Sequence, residues 1–130
     1  MARPYFGGFT HHPAPADTKK YMRGECAYLA LAFHDVLGFD LVAIGGEHFA
    51  ARAPDGRLWD IRGGMTEAEV VDGFRPGARI EPRTRAAVIE ELNTGVYSDG
   101  FFVPSRLPRA KSLVRALWAE DLSPPRRPRP

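Results

Sequence analysis

The chain has 130 residues, 44% of them hydrophobic and 26% charged, and carries a net charge of +2 at neutral pH. Those values are ordinary for one globular domain with its own core, and the charge is too small to mark a nucleic-acid binder by itself. A single cysteine excludes an intramolecular disulfide, and no apolar run reaches the ~18 residues a membrane span needs. The first residues, Met1 to Gly8, lack the apolar stretch of a signal peptide. The expectation is a cytoplasmic protein without membrane partners, with export by a non-classical route as the alternative.

Residues 1–23 hold three prolines, the Gly7-Gly8 pair and His11-His12, without sustained periodicity, and read as an irregular N-terminal arm. A single domain is expected over 24–122. The spacing predicts a helix over 25–37: Cys26, Leu29, Ala30, Phe33 and Leu37 form one stripe, and Tyr28, Leu31, Ala32 and Val36 make most of the remaining surface apolar. Gly38 is its stop. Three strands follow, over 41–44, 47–53 and 58–62. Between the last two, Pro54-Asp55-Gly56 suits a type I turn followed by a left-handed glycine, which makes a three-residue hairpin loop. In that register residue 52 faces 58, 50 faces 60 and 48 faces 62, so His48 and Asp60 share a face as diagonal neighbours. A two-residue turn would slip the pairing and separate them.

Gly63-Gly64 is expected to end the hairpin. Thr66 is a good N-cap for a helix towards Phe74, with Glu67 and Glu69 in its first turn, and Arg75-Pro76-Gly77 breaks it. A strand over 78–81, a helix over 84–92 and a turn-rich stretch to Val103, anchored by Phe101, Phe102 and Val103, come next. A last helix over 107–122 turns Leu113, Val114, Leu117 and Trp118 to the core. The Pro/Arg tail, 123–130, cannot be helical and is expected to be disordered.

The chemistry concentrates in Cys26, His48 and Asp60. A thiol at a helix N-terminus meets unpaired N–H groups and the positive end of the dipole, both of which favour thiolate. A base and an orienting carboxylate downstream complete what a sulfur nucleophile requires. Each residue also has a plainer reading. Free cysteine is often a buried small hydrophobe, a strand histidine is often structural, and Asp60 fits an ion pair with Arg62 or Arg52. Zinc is a poor fit, because Cys26, His11, His12, His34 and His48 lack ligand spacing. The glycine pairs at 7–8, 45–46 and 63–64 read as turns, with no phosphate-loop pattern. The arginines at 75, 79, 83, 85, 106, 109 and 115 scatter over several elements. Together with the tail they support one alternative: a small basic binding protein that engages an acidic partner or nucleic acid.

Gly24-Glu25-Cys26, Ala30 and Leu37-Gly38, followed by Glu47-His48-Phe49 and Leu58-Trp59-Asp60, resemble the papain-like thiol enzymes, and the transglutaminase-like branch most closely. The hairpin from His48 to Asp60 is also similar to that of the NlpC/P60 cell-wall peptidases. The likeness covers residues 24–63. The interval from Cys26 to His48 is short for either family, and neither an Asp-Cys-Ser-Gly nor a Cys-Trp motif is present. The resemblance implies an α+β fold in which a buried Cys-bearing helix packs on a small antiparallel sheet. It further implies Cys26 as nucleophile, His48 as base and Asp60 as orienting acid, attacking peptide or protein amides through a thioester without cofactor or metal. Peptidase, deamidase and acyl-transfer activities all fit that chemistry.

Overall fold

A computed structural model describes residues 15–23, 25–45, 48–72, 77–94, 102–119 and 122. The His11-His12 pair, Gly24, Glu47, Phe74, Phe101 and the tail from 123 lie outside the described residues. The fold is α+β. Five antiparallel strands, β1 (Asp40–Ile44), β2 (His48–Arg52), β3 (Leu58–Asp60), β4 (Gly63–Met65) and β5 (Ile80–Arg83), form one sheet in the order β4-β3-β2-β1-β5. The helices are α1 (Pro15–Arg23), α2 (Cys26–Leu37), α3 (Glu67–Asp72), α4 (Arg85–Asn93) and α5 (Leu107–Val114).

α2 is the central element. Its residues from Cys26 to Phe33 are all buried, as befits a helix apolar nearly all round. Gly38 ends it with φ of 74°, a left-handed conformation, and donates its N–H to the His34 carbonyl at 2.9 Å. The His34 ring turns to the Phe39 carbonyl at 2.7 Å, so that histidine serves the helix end. One sheet face meets α2 through Phe49, Ala51, Trp59 and Ile61, and α5 adds Val114. A π-helical turn, Arg115–Ala119, continues α5 and carries Trp118 over Phe33, with ring centres 5.3 Å apart, and against the edge of Trp59 at 5.7 Å. Each such buried aromatic contributes about 2–3 kcal/mol by leaving water. At the surface Asp35 of α2 takes Arg85 of α4 at 2.9 Å and Lys111 of α5 at 3.3 Å, tying three helices together. The other face of the sheet carries a smaller cluster: Val42, Ile44, Ala50, Leu58 and Met65, covered by Val70 of α3.

Three expectations are corrected. Pro15–Arg23 is a helix, not part of an irregular arm. Pro15 opens it and Asp17 lies in its first turn, both favourable at a helix start. Gly63-Gly64 does not end the hairpin but begins β4, pairing Gly63 with Asp60 and Gly64 with Trp59. The glycine is required there, because a Cβ on Gly64 would lie 2.7 Å from the Trp59 indole. The strand expected over 78–81 runs instead over 80–83 and includes Pro82, which is tolerated because β5 is an edge strand.

The Thr66 cap follows the sequence reading, and the structure adds one at Thr84. Thr66 and Glu69 exchange bonds at 3.2 and 2.9 Å, a capping box for α3, and Thr84 accepts from the Ala87 N–H at 3.1 Å to start α4. Among the described residues no helix is long and apolar enough to cross a membrane.

Candidate active site

The hairpin loop decides whether the base and the acid meet. Gly56 has φ of 91°, its N–H donates to the Ala53 carbonyl at 2.9 Å, and the Ala53 N–H donates to the Arg57 carbonyl at 2.9 Å. This is the expected hydrogen-bonded turn with a left-handed glycine at its end. The strands accordingly pair Arg52 with Leu58 and Ala51 with Trp59, the register read from Pro54-Asp55-Gly56. His48 and Asp60 then meet: Nε2 lies 2.9 Å from Oδ2, with both side chains buried.

Asp60 is gripped from a second side. It stands at the end of β3, where its Oδ1 accepts the Arg62 backbone N–H at 2.8 Å, an Asx-type turn. The Arg62 guanidinium adds Nη2 to Oδ2 at 2.7 Å and Nε to both carboxylate oxygens at 3.2 Å. Burial pushes the Asp60 carboxyl up, but the bonds to His48 and Arg62 outweigh it and hold the group below the usual carboxylate range. The ion-pair reading of Asp60 is therefore right for Arg62 and wrong for Arg52. The Arg52 guanidinium turns instead to Glu67 at 2.6 Å and to the Gly56 carbonyl at 3.2 Å. The same carboxylate serves Arg62 and His48 at once.

Cys26 is the first residue of α2 and His48 the first of β2, so thiol and imidazole approach at the ends of their elements. The thiol is close enough to act on the imidazole, since Cys26 is among the groups that raise His48. With Nε2 engaged by Asp60, Nδ1 is the nitrogen left for sulfur. Burial alone would depress His48, yet its bonds to Asp60 and Cys26, with the charges of both, raise it to about 9. Cys26 is 9% exposed, whereas the seven helix residues after it are at 2% or less, which places this residue at the edge of the core.

Glu25, the N-cap, offers no side-chain cap and pairs instead with Lys20 of α1 at 3.3 Å. Of the other residues near Cys26 in sequence, Tyr21 is buried, and its hydroxyl has no hydrogen-bond partner among the described residues. Burial, then the nearby Glu25 carboxylate, push that phenol up. Among the described residues no group of three or more His, Cys, Asp and Glu is placed to hold a metal ion. Sequence reasoning treated Arg62 only as a rival for Asp60. The signal for its second role was the Asp-Ile-Arg-Gly spacing, which suits a carboxylate turning back onto the residue two positions on.

No protein family, curated protein or solved structure matches the chain.

Proposed function

We propose that the protein is a cysteine-dependent amide hydrolase or acyltransferase, in the manner of the papain-like and transglutaminase-like enzymes it resembles. What supports this reading most is the buried bond between His48 and Asp60, with Cys26 at a helix start near enough to act on the same imidazole. The reactive form is the pair in which His48 carries the proton and Cys26 is thiolate, and that sulfur attacks the amide carbonyl carbon. The backbone N–H of Cys26, in the first turn where no intrahelical acceptor exists, is a donor for the resulting oxyanion. His48 then gives its proton to the departing nitrogen, the C–N bond breaks, and a thioester remains on Cys26. Water or an amine attacks that thioester, with His48 again taking and returning the proton. Asp60 fixes the imidazole by its bond to Nε2 and stabilises the imidazolium.

Of the arginines behind the binding-protein alternative, Arg83 and Arg85 each pair with a carboxylate. An activated ester tests the proposal without knowledge of the natural amide. On mixing with p-nitrophenyl acetate, the protein should release a burst on the order of one equivalent of nitrophenol and carry an acetyl group on Cys26 by peptide mass mapping. Cys26→Ala should lose both signals. Acetylation that spares Cys26 in the folded wild type contradicts the reading.

A further inference from the structure

The residue that makes most of the bonds to Asp60 is one the proposed chemistry leaves unused. Arg62 makes four hydrogen bonds to Asp60, one from its backbone N–H and three from its guanidinium. Its Nη2 lies 2.7 Å from Oδ2, the oxygen that His48 Nε2 approaches at 2.9 Å. Two cationic partners therefore share one buried oxygen. A turn that needed only an anchor would be served by the backbone bond alone; the two-pronged guanidinium is a charge-matched clamp.

We propose that Arg62 is a positioning residue of this site: it clamps Asp60 and takes up part of its charge, so that His48 stays an acid able to give its proton up. This rests on the reading of Cys26, His48 and Asp60 as one unit. The charge balance explains why such a residue is useful. Asp60 and Arg62 together are neutral, so the site as a whole is neutral both with thiol and imidazole and with thiolate and imidazolium. Moving the proton between sulfur and nitrogen then changes no net charge in a buried place. Without the guanidinium an undiluted carboxylate would bind the imidazolium more tightly, and the proton owed to the leaving nitrogen would be harder to release.

The surrounding groups leave this role to Arg62. His48 is acted on by Asp60 and Cys26, and Asp60 by His48 and Arg62. From α1, Lys20 is engaged with Glu25, the residue before Cys26, and Tyr21 also senses Glu25; Arg52 of β2 is turned to Glu67 of α3.

Titration of the His48 ring nitrogens by NMR in the full chain distinguishes a charge-sharing clamp from a mere anchor. Arg62→Gln should move the His48 midpoint up by roughly half a unit to one unit, because a cation is removed beside its partner. Asp60→Asn should move it down by more than about one unit, because the anion is removed. Arg62→Lys, which keeps the charge, should stay within about 0.3 of the wild type. An unchanged or lowered midpoint in Arg62→Gln overturns the proposal, since a pure anchor would release Asp60 and mimic Asp60→Asn. Should Arg62→Gln not fold, Arg62→Lys decides: a midpoint near the wild type supports the clamp, and a fall alongside Asp60→Asn refutes it. The readout needs no substrate, so failure of the ester reaction at Cys26 and failure of this assignment are separate results.

Discussion

Asp60→Ala should lower the unfolding free energy by about 3–5 kcal/mol, the usual cost of removing one member of a buried charge pair. Asp60 and His48 are 3% and 2% exposed, so water cannot replace the missing oxygens at the imidazole. The Arg62 backbone N–H would also lose its Oδ1 acceptor, and the turn joining β3 to β4 would lose its internal bond. The Arg62 head is 23% exposed and can reach water, which sets the lower end of the range. Asp60→Asn keeps the shape and one acceptor oxygen, and should cost roughly 1–3 kcal/mol. Urea denaturation of the three proteins at neutral pH checks both values, and a loss below about 1 kcal/mol in Asp60→Ala would mean that the carboxylate is not buried between two cations.

Stability should also fall as pH rises from about 6.5 to about 9. His48 is raised in the fold from an ordinary value of 6.5 to about 9. A group raised on folding contributes fully below its unfolded value, and that contribution disappears as pH climbs through the folded one. The size is on the order of 3 kcal/mol, since each unit corresponds to about 1.4 kcal/mol. Asp60 acts in the other sense: held below the usual range, it stabilises the fold above pH ~4 and loses that effect on acidification through its folded value. The expected profile is a plateau between roughly pH 4 and 6.5 with a decline towards alkaline pH. Denaturation midpoints measured across this range test it. Asp60→Asn should flatten the alkaline decline, while a wild-type profile flat from pH 6 to 9 would show that His48 is not charged in the fold.

What the sequence disclosed depended on where local chemistry sufficed. Pro54-Asp55-Gly56 determines its loop through the conformations of three residues, and so it determined the register that joins His48 to Asp60. The apolar stripe from Cys26 and the stop at Gly38 likewise gave α2 its limits to within a residue. β4 was hidden because Gly63 and Gly64 are poor strand formers, and only the ladder with β3 and the Trp59 ring over Gly64 make the strand. α1 offers a single short apolar pair, Tyr21 and Met22, and becomes legible only once packed against the core. The choice between Arg52 and Arg62 as partner of Asp60 depended on side-chain direction: Glu67 of α3 draws one away, and the Asx-type turn delivers the other. Sequence places both arginines near the acid and says nothing of that competition.

The unity of sulfur, imidazole and carboxylate is tested most directly by the rate at which iodoacetamide alkylates Cys26 at pH 7 in the wild type, in His48→Ala and in the urea-unfolded chain. The folded wild type should react faster than the unfolded chain, and His48→Ala should lose roughly tenfold to a hundredfold, because the imidazolium that favours the thiolate is gone. A wild-type thiol that reacts no faster than the unfolded chain, or one whose rate is indifferent to His48, would contradict it.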